Sequence, residues 1–254
     1  MELGLENKVA IITGGSEGIG KAIALGLAQE KVKVAISGRR EKQLANAANE
    51  IREKTGASIY AAKADMTHKK EVEIFIGDVL KKWNTVHILV NNVGSATKAF
   101  FNELTEKNWR NAMNSNLFSS IYCTEQVLPG MRKQKWGRII NIAAVSGKEP
   151  SFNLMASNVA KSGLLSFSKT LASEVAADNI LVNCVCPGRI LSPQIMRLYS
   201  EEERRNIASA SIPMKRFGKA DELSNLVVFI ASERSSFITG TVIPVDGGAS
   251  RGLY

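Results

Sequence analysis

"KVAIITGGSEGIGKAIALGLAQE", Lys8 to Glu30, changes its periodicity at its middle. "KVAIIT" is a short β-branched run, apolar on both faces, as a parallel strand covered on both sides should be. "GKAIALGLAQE" then spaces its apolar residues as an amphipathic helix does. Between them lies "TGGSEGIG", Thr13 to Gly20, with Gly14, Gly18 and Gly20 in the pattern GxxxGxG. Glycine permits a tight turn and close approach of a ligand to the main chain, and the opening helix offers amides and a dipole suited to a pyrophosphate. Such a turn can use glycine for steric reasons alone. Its place after a first strand and before a helix points to a dinucleotide site, with Ser16, Glu17 and Ile19 completing the candidate set.

The alternation continues to the carboxyl end. "KVKVAIS", "SIYAA", "VHILVNN", "RIINIAA", "ILVNCVC" and "TVIPVD" add six strand-like runs. Amphipathic stretches such as "KKEVEIFIGDVLKKW" and "SGLLSFSKTLASEVA" separate them. Strands alternating with helices predict an α/β fold: a doubly wound, seven-stranded parallel sheet with helices on both faces. No repeat, low-complexity tract or linker interrupts the chain, so a single domain over 1–254 is expected. A helix-rich insertion at about 192–219 separates the last two strands.

Composition excludes several classes. Apolar residues at 44% and charged residues at 22% describe an ordinary globular chain. No apolar run approaches the roughly eighteen residues of a membrane span, and no basic segment followed by an apolar one opens the sequence. Cys123, Cys184 and Cys186 are an odd set without framework spacing, which suggests a reducing, cytoplasmic setting. Cys184 and Cys186 alternate on one strand and should pack as small apolar groups. His68 and His87 lack metal-ligand spacing, so no metal is expected. The formal charge of +9 is scattered over amphipathic segments without aromatic interleaving, which disfavours nucleic acid as a partner. Solvated helix faces explain most of it, and an anionic ligand or acidic partner suits the remainder.

Other candidate residues fall after strands, where ligands bind in such sheets. The second strand ends "AISGRREK", with no carboxylate near Ser37 or Gly38 to hold a ribose 2′-hydroxyl. Arg39 and Arg40 suit a 2′-phosphate instead, so NADP(H) is favoured over NAD(H); they could also be plain surface arginines. Asp65 and Met66 follow the third strand, although Asp65 could equally cap the next helix. "NNVG" follows the fourth and supplies Asn92, Val93 and Gly94. In "NLMASNVAKSG", Lys161 is a lone charge in an apolar run, with Ser157 one helical turn earlier on the same face. Lys161 could snorkel to solvent.

"TGGSEGIG", "NNVG", the asparagine of "NSNL", "GRIINIAAVSG", the lysine of "SNVAK", "VCPGRI" and the terminal "VDGG" occur in one order from Lys8 to Gly248. In this the chain resembles the short-chain dehydrogenases/reductases, and among them the 3-oxoacyl-carrier-protein reductases. The resemblance implies a Rossmann-type sheet, a homotetramer, and reversible hydride transfer between a nicotinamide and a carbonyl or alcohol. It implies that Asn116 and Lys161 belong to the reaction centre, Lys161 beneath the nicotinamide ribose and Asn116 holding a water beside it; Asn116 could also be a polar residue that bends its helix. It places Pro187, Gly188, Ile190 and Ser192 of "CPGRILS" over the nicotinamide carboxamide.

Two positions depart from the family pattern. Ala144 stands where the family has serine, and Ser157 where it has tyrosine. Carbonyl reduction needs a proton donor for the developing oxyanion, and an aliphatic hydroxyl is a poor acid. An NADP(H)-dependent reductase of a small-molecule carbonyl, 3-oxoacyl or enoyl thioester should therefore be slow. Ser157 as a relay, Ser146, or Tyr199 of the insertion could supply the proton. The alternative is a catalytically impaired cofactor-binding protein acting as a sensor or partner subunit.

Overall fold

The first strand and helix fall where the periodicity puts them: β1 is Val9–Ile12 and α1 Gly18–Gln29. The first half continues with β2 (Lys33–Gly38), α2 (Glu41–Thr55), β3 (Ile59–Lys63), α3 (Lys69–Trp83) and β4 (Ile88–Asn91). The second half holds α4 (Glu106–Met113), α5 (Ser119–Gln134), β5 (Gly137–Ile142), α6 (Met155–Val175) and β6 (Ile180–Pro187). Then come α7 (Pro193–Leu198), α8 (Glu201–Ser211), α9 (Ala220–Ala231) and β7 (Val242–Val245). The computed structural model describes residues 2–252; residues 1, 253 and 254 of the expected 1–254 domain lie outside the described residues.

All seven strands join one parallel sheet in the order β3-β2-β1-β4-β5-β6-β7. Successive strand residues alternate between two cores. Ala10, Ile12, Val34 and Ile36 face α1, α2 and α9, whereas Val9, Ile11, Ala35 and Leu89 face α3, α5 and α6. Both sides of each central strand are therefore apolar, which is why β1 reads as an uninterrupted "VAII". The chain winds outward from β1 in one direction and from β4 in the other. Their carboxyl ends leave a crevice at the point of reversal, where ligands bind in open sheets of this kind.

The sequence pattern does not show α4 and α5. Polar Asn111 and Asn114, with Pro129 inside α5, blur the helical period. A π turn at Asn114–Phe118 joins the two helices. The cysteines are buried and unpaired as small apolar groups, and burial pushes the Cys123 thiol up to about 12. Among the described residues, no helix is long and apolar enough to cross a membrane.

The opposite, amino-terminal edge of the sheet holds a cationic cluster. Trp136 carries Lys8 at 4.1 Å and Arg138 at 4.2 Å from its ring centroid, and His87 meets its edge at 5.8 Å. His87 Nδ1 accepts from the Val9 amide at 3.0 Å, so the neutral ring is the one that fits. Burial, then Lys8 and Lys33, lowers its pKa from 6.5 to about 4. Between these values the unfolded chain binds a proton that the folded one refuses, so stability falls as pH drops through this window. Urea unfolding across that range should show the loss, and His87→Gln should flatten it.

Candidate active site

The phosphate end is built from main chain. Gly14 and Gly18 adopt φ of 66° and 58°, conformations a side chain resists. A Cβ at Gly20 would press on the Gly14 carbonyl and lie 2.5 Å from Asn92 Nδ2. The turn is held from β4: Thr13 Oγ1 accepts the amides of Asn92 (2.9 Å) and Val93 (3.2 Å). Asn92 Nδ2 donates to the carbonyls of Thr13 (3.0 Å) and Gly14 (3.2 Å). The amino end of α1 has no side-chain cap and no acid in its first turn, so its amides remain available to an anion. These features fit a dinucleotide pyrophosphate.

Side chains frame that turn. Ser16 Oγ would lie 3.4 Å from a Cβ at Gly38, at the end of β2. Arg40 pairs with Glu17, and Arg197 of α7 stands 3.9 Å from the same carboxylate. Arg39 Nη1 lies 4.0 Å from Asp65. Asp65 accepts from the amide and hydroxyl of Thr67 at 3.0 and 2.8 Å, a turn just before α3; the cap position of α3 itself belongs to His68. Those bonds and Arg39 hold the Asp65 carboxyl below its usual range despite burial, the largest and opposing influence.

Met66 is brought to the strand ends only by its main chain, because its side chain is buried in the core with Cys123 Sγ 3.8 Å from its sulfur. Ile190 likewise sends its side chain into the core. Gly188 donates its amide to Val245 at 3.0 Å, and a Cβ there would meet Asp246 at 2.6 Å, so the turn after Pro187 packs closely against the chain after β7. Ser192 caps α7 by accepting the Ile195 amide at 3.2 Å. Its Cβ also approaches the Gly18 position at 3.6 Å, bringing α7 beside the glycine turn; Ile19, half-buried, follows in α1.

The second cluster lies along the same crevice. Lys161 does not snorkel: it is 7% exposed, and its Nζ donates to the Ile142 carbonyl at 2.9 Å. Desolvation pulls its pKa down from 10.5 to about 8. Asn116 sits in the π turn, completely buried. Its amide nitrogen donates to the carbonyls of Ser95 (2.8 Å) and Ala112 (2.9 Å), and its oxygen accepts the Ser95 amide (3.2 Å). A Cβ at Gly94 would lie 2.9 Å from Asn116 Oδ1 and 3.1 Å from Lys161 Nζ. The bare glycine thus leaves the ammonium and the amide oxygen side by side at the end of β4.

Ser157 is on the same helix as Lys161, 5% exposed, with its Oγ a long 3.5 Å from the Ser95 carbonyl. Ser95 Oγ in turn bonds Ser115 Oγ at 2.7 Å. Ala144 and Ser146 are half-buried beyond β5. Tyr199, at the end of α7, meets Lys98 Nζ at 3.2 Å. Sequence reasoning missed Ser95, Ser115 and Lys98. Adjacency of Ser95 to "NNVG" is the one local hint.

The family described as "Enoyl-(Acyl carrier protein) reductase" matches residues 14–250. The 3-oxoacyl-[acyl-carrier-protein] reductase of Aquifex aeolicus is 34% identical over 255 residues, covering 98% of this chain and 99% of that protein. The acetoacetyl-CoA reductase of Shinella zoogloeoides is 36% identical over 242 residues, covering 95% and 98%. The crystal structure of L-sorbose reductase from Gluconobacter frateurii, complexed with NADPH and L-sorbose, superposes with a TM-score of 0.95 at 33% identity and covers all of both chains.

Gly20→Ala puts a methyl into the glycine turn. Its dissociation constant for NADPH, read by fluorescence titration, should rise by about tenfold or more, equivalent to ~1.4 kcal/mol, with the circular-dichroism spectrum retained.

Proposed function

This chain belongs to the short-chain dehydrogenase/reductase family, and from that premise we propose that it is an NADP(H)-dependent oxidoreductase that reduces a carbonyl. The observation that carries the reading is the convergence of Lys161 Nζ and Asn116 Oδ1 on the bare Gly94, in one crevice with the glycine turn. When bound, the nicotinamide supplies the hydride. Lys161, its charge retained at neutral pH, holds the ribose hydroxyls beneath it; Asn116 fixes the Ser95 loop that walls the crevice and positions a water beside the ammonium. Gly14, Gly18 and Gly20, with the α1 amides, take the pyrophosphate. Arg39 and Arg40, with no carboxylate between them and β2, take the 2′-phosphate.

A 3-oxoacyl or enoyl thioester is the favoured substrate class, since the relatives include acyl-carrier-protein and CoA thioester reductases. A small polyol ketone is supported by the L-sorbose reductase likeness. The segment 192–219 forms the substrate lid, beginning at Ser192 beside Gly18. Ala144 and Ser157 make the centre atypical and slow, because removing a general acid costs about 10²–10⁴ in rate. The same two residues favour the second reading, a cofactor-binding sensor or partner subunit. NADPH oxidation followed with acetoacetyl-CoA, diacetyl and L-sorbose separates the two: NADPH binding without consumption of any of them sinks the reductase.

A homotetramer is the proposed assembly. Phe100, Phe101, Phe152, Met155 and Val159 expose an apolar face around a groove of about 610 Å³, larger than an isolated surface residue accounts for. A cytoplasmic location suits the three unpaired, buried cysteines.

Exchanging Arg39 and Arg40 together for alanine should weaken NADPH binding by roughly tenfold or more, since each charged hydrogen bond is worth about 1.5–3 kcal/mol, and leave NADH binding unchanged. Phe101→Glu should shift the native mass in light scattering to dimers or monomers.

A further inference from the structure

The family's phenol is absent from α6, yet a phenol beside an ammonium exists elsewhere at the same end of the sheet. We propose that Tyr199, carried by the segment between β6 and β7, is the proton donor to the substrate oxygen, with Lys98 and Arg189 as its positioning cations. This rests on the reductase reading above and deepens it.

The location follows from the sheet order. Lys98 comes from the loop after β4, and its Nζ donates to the Tyr199 hydroxyl at 3.2 Å and stands 5.8 Å from the ring centroid. Arg189, from the loop after β6, is a second cation whose charge acts on that hydroxyl. β4 and β6 flank β5, whose carboxyl end runs into Ala144, the residue at the altered serine position. The phenol is thus bonded from the loop after β4 and lies within the field of a cation from the loop after β6, the strands on either side of β5. Three residues before Lys98, Ser95 closes onto Ser157 and Asn116, and the residue before Arg189 is Gly188 of the turn against β7.

Tyr199 is also held in place by its main chain. Its amide bonds the Ile195 carbonyl at 3.1 Å, and its carbonyl accepts from Arg204 Nη1 of α8 at 2.8 Å. Lys98 and Arg189 near its hydroxyl and Arg204 on its carbonyl are all cationic. Lys98 first, then Arg189, favours the phenolate and lowers the pKa below 10 against the opposing effect of burial. An ammonium-paired phenol is a far better acid than the Ser157 hydroxyl.

The step balances. The hydride adds to the carbonyl carbon, the π pair of the C=O bond moves to oxygen, and the Tyr199 O–H bond breaks to give that oxygen its proton. The dinucleotide is oxidised and the carbonyl reduced to an alcohol. The phenolate left behind is held by Lys98 and Arg189 until water returns a proton.

Two measurements on the full chain test it. Ultraviolet difference titration of wild type against Tyr199→Phe, without cofactor, isolates one tyrosine; it should ionise below 10, and Lys98→Met should move that ionisation upward. Stopped-flow NADPH oxidation with acetoacetyl-CoA should slow by about 10²–10⁴ in Tyr199→Phe, with NADPH affinity retained. A donor must be protonated, so the wild-type rate should fall at alkaline pH with the midpoint of the titration, and shift upward with it in Lys98→Met. A Tyr199→Phe protein with the wild-type rate and alkaline limb overturns the proposal while the reductase reading stands. A normal, unshifted ionisation of Tyr199 overturns it as well. A wild-type protein that binds NADPH and consumes no carbonyl removes the reductase reading, and this proposal with it.

Discussion

A glycine turn has no side chains of its own to hold it, and here the β4 loop does the holding. Thr13 Oγ1 and Asn92 Nδ2 stitch β1 to β4 at the point where the sheet reverses direction. The same short segment continues through Gly94 and Ser95, which Asn116 grips through both of its amide atoms. One hydrogen-bonded seam therefore runs from the glycine turn to Asn116, whose Oδ1 shares the bare Gly94 position with the Lys161 ammonium. Any movement of the turn relative to β4 would be felt at both ends, because these bonds lie in partly desolvated surroundings where polar groups are costly to leave unpaired.

Lys161 shows how that seam is used. Burying an ammonium is expensive, and among the described residues its one hydrogen bond is to the Ile142 carbonyl. A Cβ at Gly94 would lie 3.1 Å from the ammonium, so the bare glycine keeps space beside it. Desolvation without a counter-ion brings the pKa to about 8, close enough to neutrality for the charge to respond to whatever anionic or hydroxyl group docks there.

The altered position on α6 is filled as well as changed. Ser157 is nearly inaccessible, and its Oγ lies 3.5 Å from the Ser95 carbonyl. The loop after β4 also carries Lys98 to Tyr199, on a segment whose beginning is packed beside Gly18.

The strands, α1, α3, the glycine turn and the shared face of Ser157 and Lys161 were legible because each is a local repeat: burial imposes a period of two on strands and 3.6 on helices. The absence of a carboxylate after β2 was equally local. The π turn was not legible, since Asn114, Asn116 and Ser115 carry no period and the Ser95 loop that Ser115 and Asn116 bond lies 20 and 21 residues away. The inward side chain of Met66 also depended on a neighbour distant in sequence, Cys123. Tyr199 meets Lys98 across 101 residues, a contact created by the order of β4, β5 and β6 in the sheet. By itself the sequence determined the seven strands, their alternation with helices and the glycine turn between β1 and α1. Only the tertiary structure decided which side chains share the crevice, because strand order, which no local period encodes, sets which loops meet.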